Sequence, residues 1–136
     1  SIASPNIGIS VLRPQAGENG RIGEEELTFV VPIIKKLQSE GYNLLGPLSA
    51  DTMFYGKKRP RFDAAICMYH DQALIPIKTL DFHSSVNLTI GLSFIRTSPD
   101  HGTAFDIAGK NLANPTSTIE AIKLAWSMAK KEQKDR

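Results

Sequence analysis

Phe62-Asp63-Ala64-Ala65-Ile66-Cys67-Met68 runs directly into Tyr69-His70-Asp71-Gln72, and this junction decides the fold. The first seven residues are short and almost wholly apolar, the pattern of a strand buried in a parallel sheet. The polar cluster after them would stand beyond the carboxyl end of that strand, where open α/β sheets bind ligands. Upstream, Asn6-Ile7-Gly8-Ile9-Ser10-Val11-Leu12 alternates apolar with small or polar residues and predicts another strand. A polar, Gly-containing loop over Arg13 to Gly23 comes next. Glu24-Glu25-Glu26 then opens a helix with acids where the dipole favours them. Leu27, Val30, Val31, Ile34 and Leu37 fall on one face of it. Pro32 predicts a kink or a late start, and Gly41 a stop.

Beyond it, Asn43-Leu44-Leu45 reads as a short strand, Gly46-Pro47 as a turn and Ala50 to Phe54 as a helical turn. Lys57-Lys58-Arg59-Pro60-Arg61 reads as a solvated basic connection. Gln72 to Leu80 predicts a helix broken near Pro76, and Ser85 to Ile90 a strand. Asn114-Pro115 supplies a cap and a proline start to a helix from Thr116 to about Gln133. Its predicted apolar face is Ile119, Ile122, Ala125, Trp126 and Ala129. Strands alternating with helices point to an α/β fold with a largely parallel sheet flanked by helices.

With 136 residues there is room for one ordinary domain, burying roughly two-thirds of its unfolded surface. The net charge of +2 comes partly from Lys130, Lys131, Lys134 and Arg136, and no basic stripe is interleaved with aromatics, so nucleic acid is not an expected partner. A single cysteine, Cys67, rules out an internal disulfide and a cysteine-rich zinc site, and its apolar surroundings suit an inert thiol. No apolar run reaches the roughly 20 residues of a membrane span and no signal peptide opens the chain, so the expected compartment is the reducing cytoplasm. The chain opens on Ser1 rather than Met, which suggests a part of something longer.

Four places carry candidate chemistry. His70 and Asp71 are suited to binding a divalent metal or moving a proton, although the residues alone favour a hydrogen-bonded structural histidine. Lys78, Asn87 and Arg96 are donors that together suit a phosphate or carboxylate, unless they are ordinary surface groups. Gly17-Glu18-Asn19-Gly20 and Arg21 form a polar loop without a dinucleotide fingerprint. His101-Gly102-Thr103-Ala104-Phe105-Asp106 combines small residues, which permit close backbone approach, with an acid able to accept from a ribose hydroxyl.

The stretch from His101 to Thr116 resembles the cofactor loop of the isocitrate and isopropylmalate dehydrogenase superfamily. Arg13 to Gly20, Gly46 to Thr52, Met68 to Gln72, Val86 to Leu92 and Phe94 to Ser98 narrow the resemblance to the 4-hydroxythreonine-4-phosphate dehydrogenase family of pyridoxal phosphate biosynthesis. The match runs in order over nearly the whole chain and corresponds to the C-terminal part of a two-domain dehydrogenase. What it implies is an isopropylmalate-dehydrogenase-like fold and an NAD- or NADP-dependent oxidation of 4-phosphohydroxy-L-threonine, followed by decarboxylation to 3-amino-2-oxopropyl phosphate. It further implies a divalent metal (zinc, magnesium, manganese or cobalt) bound in part by His70, with Asp51 near it and able to assist proton transfer. Substrate contacts would fall to Lys78, Asn87 and Arg96, and cofactor contacts to His101, Gly102 and Asp106. The family forms homodimers whose active site is shared between subunits.

This sequence departs from the family at several points. Gln15 stands where the family has a metal-ligand histidine, Ala73 where it usually has Gly, and His83-Ser84-Ser85 where it has a Gly-Arg-Gly type of stretch. The family's N-terminal part, which would supply another ligand and the other cleft wall, lies outside these residues, so the 136 residues by themselves are not expected to turn over substrate. Two rival readings are a dehydrogenase of another phosphorylated hydroxy acid and an inactive binding or dimerisation module. An amide oxygen at position 15 is a poorer zinc donor than imidazole. Calorimetric titration of the intact protein should therefore show tighter zinc binding after Gln15→His, with a smaller contrast for magnesium. Equal zinc affinities would mean that position 15 does not face the metal.

Overall fold

The computed structural model describes residues 2–13, 23–55 and 62–134. Gln15, the loop at Gly17 to Arg21 and the basic connection from Lys57 to Arg61 lie outside them. The chain divides into two compact units, one up to Pro76 and the other from Ile77 onward.

The first unit is built on a parallel sheet of β1 (Ile7–Ser10), β2 (Leu44–Leu48) and β3 (Ala64–Ile66) in the order β2-β1-β3. Helix α1 (Val31–Ser39) connects β1 to β2 and closes the core. Ile9, Val30, Ile34 and Leu44 are buried together, with Ile7, Leu37 and Met68 packed against them. Each fully buried aliphatic side chain of this kind contributes roughly 1.5–3 kcal/mol. The predicted disturbance at Pro32 takes the form of a wide π-helical turn over Glu26–Val30, in which the Val31 N–H reaches back to the Glu26 carbonyl. Pro32 then sits in the first turn of α1, where its missing N–H costs little. At the other end Gly41 adopts a φ of +96°. Its N–H bonds the Gln38 carbonyl while the Tyr42 N–H bonds that of Leu37, which is the paired arrangement of a Schellman cap.

Several expectations need correction. Gly46-Pro47 is not a turn but lies inside β2, where the register against β1 slips between Gly8 and Ser10. The bulge accommodates a proline that cannot donate to a ladder. The strand predicted over Phe62 to Met68 shortens to Ala64–Ile66, and its three residues are exposed rather than buried. Among the described residues β3 pairs only with β1, so it forms an edge. Helix α3 (His70–Leu80) is not broken at Pro76. Pro76 cannot bond the Gln72 carbonyl four residues back, and that carbonyl instead accepts from the Cys67 thiol at 3.7 Å. Desolvation pushes the Cys67 thiol pKa up, in keeping with an inert role.

A short helix α2 (Ala50–Met53) comes after β2, as expected. The second unit pairs β4 (Val86–Thr89) with β5 (Arg96–Pro99), antiparallel, under helix α4 (Thr116–Lys134). Strand β5 was not expected, and with β4 it forms a separate two-stranded antiparallel sheet. Asn114 accepts from the Thr116 N–H and hydroxyl and caps α4. The face of α4 that packs agrees with the predicted one only at the half-buried Ala125 and Ala129. Ser117 and Ala121 are buried, and Thr97 Oγ1 donates to the Ala121 carbonyl at 2.9 Å. Ile119, Ile122 and Trp126 stay exposed. Small residues bring the helix backbone within hydrogen-bond reach of the strand, which a row of large side chains would prevent.

Gly46 provides the clearest test of β2. Its φ is +154°, and a Cβ there would lie 2.6 Å from the Ile9 carbonyl oxygen. Gly41 also has positive φ, but a Cβ there would meet nothing within 4 Å. Gly46→Ala should cost more than about 2 kcal/mol and Gly41→Ala about 1 kcal/mol. Urea midpoints measure both, and equal losses would refute the close approach.

Candidate functional site

Two of the predicted site residues lie at the carboxyl edge of the parallel sheet. The strands β1, β2 and β3 all run the same way, so the segment after each strand emerges at that edge. Asp51 is in the first turn of α2, just after β2, and His70 opens α3, just after β3. His70 Nδ1 lies 2.7 Å from Asp71 Oδ1, with both side chains largely exposed. When Nδ1 carries the proton, the carboxylate accepts it and the Nε2 lone pair is left for a metal or a proton.

Gln72 anchors this pair. It is 5% exposed. Its Nε2 donates to the Val11 carbonyl at 2.9 Å, just beyond β1, and its Oε1 accepts from the Met68 N–H at 2.7 Å, just beyond β3. One side-chain amide thus joins the ends of two neighbouring strands to the first turn of α3. The sequence motif contained Gln72, but nothing in its spacing marked it as the cross-link.

A divalent metal fits His70 in the chemistry of its donor, an imidazole with a carboxylate behind it. Among the described residues, no three of His, Cys, Asp and Glu come together to hold an ion. His70 would therefore be one ligand of several.

The second unit carries the remaining candidates. Asn87 pairs with Ser98 and Thr89 with Arg96 across the β4–β5 ladder. Asn87, Thr89, Arg96 and Ser98 therefore share one face, opposite the Thr97 face that meets α4. Arg96 donates from its guanidinium to Thr89 Oγ1 at 2.7 Å, and Asn87 is its diagonal neighbour. Lys78, in the last turn of α3, is held elsewhere. Its ammonium lies 3.3 Å from Asp100 Oδ2, also bonds the Asp100 carbonyl, and faces the Phe82 ring at 5.3 Å. Asp100 is four residues beyond Arg96, roughly 13 Å along an extended chain. Asn87 and Arg96 are thus brought together, while Lys78 stands at the other end of the ribbon.

A pocket of about 560 Å³ opens in this unit, within the usual range for small-molecule sites. His83, His101, Gly102, Ala104, Asn114 and Ser117 are among its lining residues. His83 is presented by a turn that Asp81 closes, and the Ser84 hydroxyl and N–H hold the Asp81 carboxyl below its ordinary pKa. Asn114 Nδ2 lies 3.3 Å from His83 Nδ1. A Cβ on Gly102 would meet nothing within 4 Å, which leaves the backbone open to a ligand. Ala104 has a φ of +45°, an uncommon conformation for a residue with a Cβ and one that clusters at binding loops. The predicted cofactor residues His101 and Gly102 are in the pocket wall. Asp106 sits in the 3-10 turn Phe105–Ile107 and is exposed, and of that turn only Ile107 lines the pocket.

Residues 1–125 match the family model described as pyridoxal phosphate biosynthetic protein PdxA. The chain belongs to the PdxA family. It is 61% identical over 132 residues to a 4-hydroxythreonine-4-phosphate dehydrogenase of Ruegeria sp. (strain TM1040), covering 97% of this chain and 40% of that protein. It is 63% identical over 128 residues to the like-named enzyme of Roseobacter denitrificans, covering 94% and 39%. Among solved structures, the 4-hydroxythreonine-4-phosphate dehydrogenase of Klebsiella pneumoniae superposes with a TM-score of 0.75 at 43% identity, covering 92% of this chain and 38% of that one. A terephthalate 1,2-cis-dihydrodioldehydrogenase of Burkholderia xenovorans LB400 superposes at 0.67 with 37% identity, covering 91% and 39%. The chain thus spans about 40% of the length of the curated PdxA relatives it matches. The α/β class with a parallel sheet and flanking helices agrees with these neighbours.

Proposed function

We propose that the chain forms the C-terminal part of a dehydrogenase that oxidises and decarboxylates 4-phosphohydroxy-L-threonine to 3-amino-2-oxopropyl phosphate in pyridoxal phosphate biosynthesis. The observation that carries this reading is the neighbourhood of Lys78. Its ammonium faces Phe82, which lines the pocket, and its partner Asp100 donates its N–H to Ser117 Oγ, another lining residue. A cation suited to an anionic substrate therefore stands beside a pocket suited to a nucleotide, as a hydride-transferring enzyme requires.

Each group of residues has its own task. The pocket around His101 and Gly102 takes part of NAD or NADP, whose nicotinamide supplies the hydride acceptor when bound. Asn87 and Arg96 offer an amide and a guanidinium on one face, donors suited to phosphate or carboxylate oxygens, while Lys78, held apart from them at the other end of the ribbon, offers a point charge to a second anionic group beside the pocket. A divalent metal would be held in part by His70 and would supply Lewis-acid polarisation of the reacting oxygen. Asp71 fixes the His70 ring, and the proton is taken up or returned by Asp51, in the first turn of α2. We further infer a cytoplasmic homodimer with a site shared between subunits. No helix among the described residues is long and apolar enough to cross a membrane. A second reading, oxidation of a different alcohol on the same scaffold, is favoured by the dihydrodiol dehydrogenase among the structural neighbours.

The test is NADH formation by the intact protein with 4-phosphohydroxy-L-threonine and a divalent metal. Turnover should be lost on chelation, and Arg96→Ala should raise KM by about tenfold or more. Turnover only with a non-phosphorylated diol would favour the second reading. An Arg96→Ala variant with unchanged KM and kcat would remove Arg96 from the substrate site.

A further inference from the structure

We propose that Asp100 is a positioning residue of the substrate site, holding the Lys78 ammonium in place and being itself fixed by two buried serines. This rests on the proposed role of Lys78 as a substrate contact. The carboxylate of Asp100 is 13% exposed and the Lys78 side chain 30% exposed, so the pair is partly withdrawn from water and less screened than a surface pair. Lys78 Nζ meets Asp100 twice, at the carboxylate and at the carbonyl. A lysine has four rotatable bonds and otherwise spreads its charge over many positions. Two acceptors on one residue, with the Phe82 ring beneath, restrict it to one.

Asp100 in turn cannot shift freely. Ser85 Oγ donates to its Oδ2 at 3.0 Å, and its own N–H donates to Ser117 Oγ at 2.9 Å. Ser117 Oγ donates to the Ser85 carbonyl at 2.7 Å, which closes the ring. Ser85 and Ser117 are buried polar residues, and this ring is where their hydroxyls are satisfied. The network joins the last turn of α3, the start of β4, the end of β5 and the first turn of α4. Its geometry leaves a third ammonium hydrogen on Lys78 for an incoming anion. An ion pair serving stability alone would need neither the aromatic face nor the link to a pocket-lining serine.

The experiment is a double-mutant cycle in the intact protein, with KM and kcat measured for the phosphorylated alcohol. Lys78→Met should raise KM, Asp100→Asn should raise it by about tenfold with kcat within about threefold, and the double variant should be no worse than Lys78→Met. If Lys78→Met raises KM while Asp100→Asn leaves it within about twofold, or if the two effects multiply, the positioning role is wrong and the substrate reading stands. If Lys78→Met leaves KM unchanged, the substrate reading of Lys78 fails and takes the proposal with it. Thermal melting monitors folding. Should Asp100→Asn not fold, Ser85→Ala replaces it, with an expected rise of about threefold in KM, and no rise would overturn the proposal.

Discussion

The first unit depends on a buried amide. Strands β1 and β3 are four and three residues long, too short for their ladder alone to fix the position of the segments beyond them. At their amino ends Asn6 and Asp63 clasp each other, the Asn6 N–H on the Asp63 carboxylate at 2.8 Å and the Asp63 N–H on the Asn6 carbonyl at 2.6 Å. At their carboxyl ends Gln72 does the same work with one side chain, satisfying the Val11 carbonyl and the Met68 N–H. Without it, two backbone groups would lose their partner, and the buried Val11 carbonyl would be left unpaired at a cost of about 1–3 kcal/mol. Because Gln72 is in the first turn of α3, the same bonds set the position of His70 and Asp71.

The second unit uses polar groups in a comparable way. Its buried residues include Ser85, Ser117 and Ala121, so its interior is small and partly polar. Small side chains let α4 approach the β4–β5 ribbon closely enough for side-chain-to-backbone bonds such as Thr97 to Ala121. A buried polar network of this kind specifies one arrangement when every member is satisfied. Lys78 is tied to this network through Asp100.

Much of this was legible in the sequence because local chemistry agreed with the fold. Glycine stopped α1, Asn114 capped α4, and the alternation of Asn6 to Leu12 became β1. The misreadings arose where a residue's meaning depended on distant partners. Gly46-Pro47 has turn chemistry, but its strand geometry comes from the approach of Ile9. The apolar run around Ala64 to Ile66, and Ile119, Ile122 and Trp126 on α4, have the composition of covered faces, while the described residues leave them exposed. The candidate residues were legible as types, since His, Lys, Asn and Arg declare their chemistry. Their supports were not. Gln72 is 61 positions from Val11, and Asp100 is 22 from Lys78, and no periodicity links such pairs.

Amide hydrogen exchange at Met68 tests the role of Gln72 most directly. In the wild-type chain the Met68 N–H should be protected although it lies outside any strand. A Gln72→Met variant, similar in volume but without the amide, should lose about tenfold to a hundredfold of that protection. Amides in the middle of α4 should be unaffected. Unchanged protection at Met68 in the variant would show that the ends of β1 and β3 are held together by something other than Gln72.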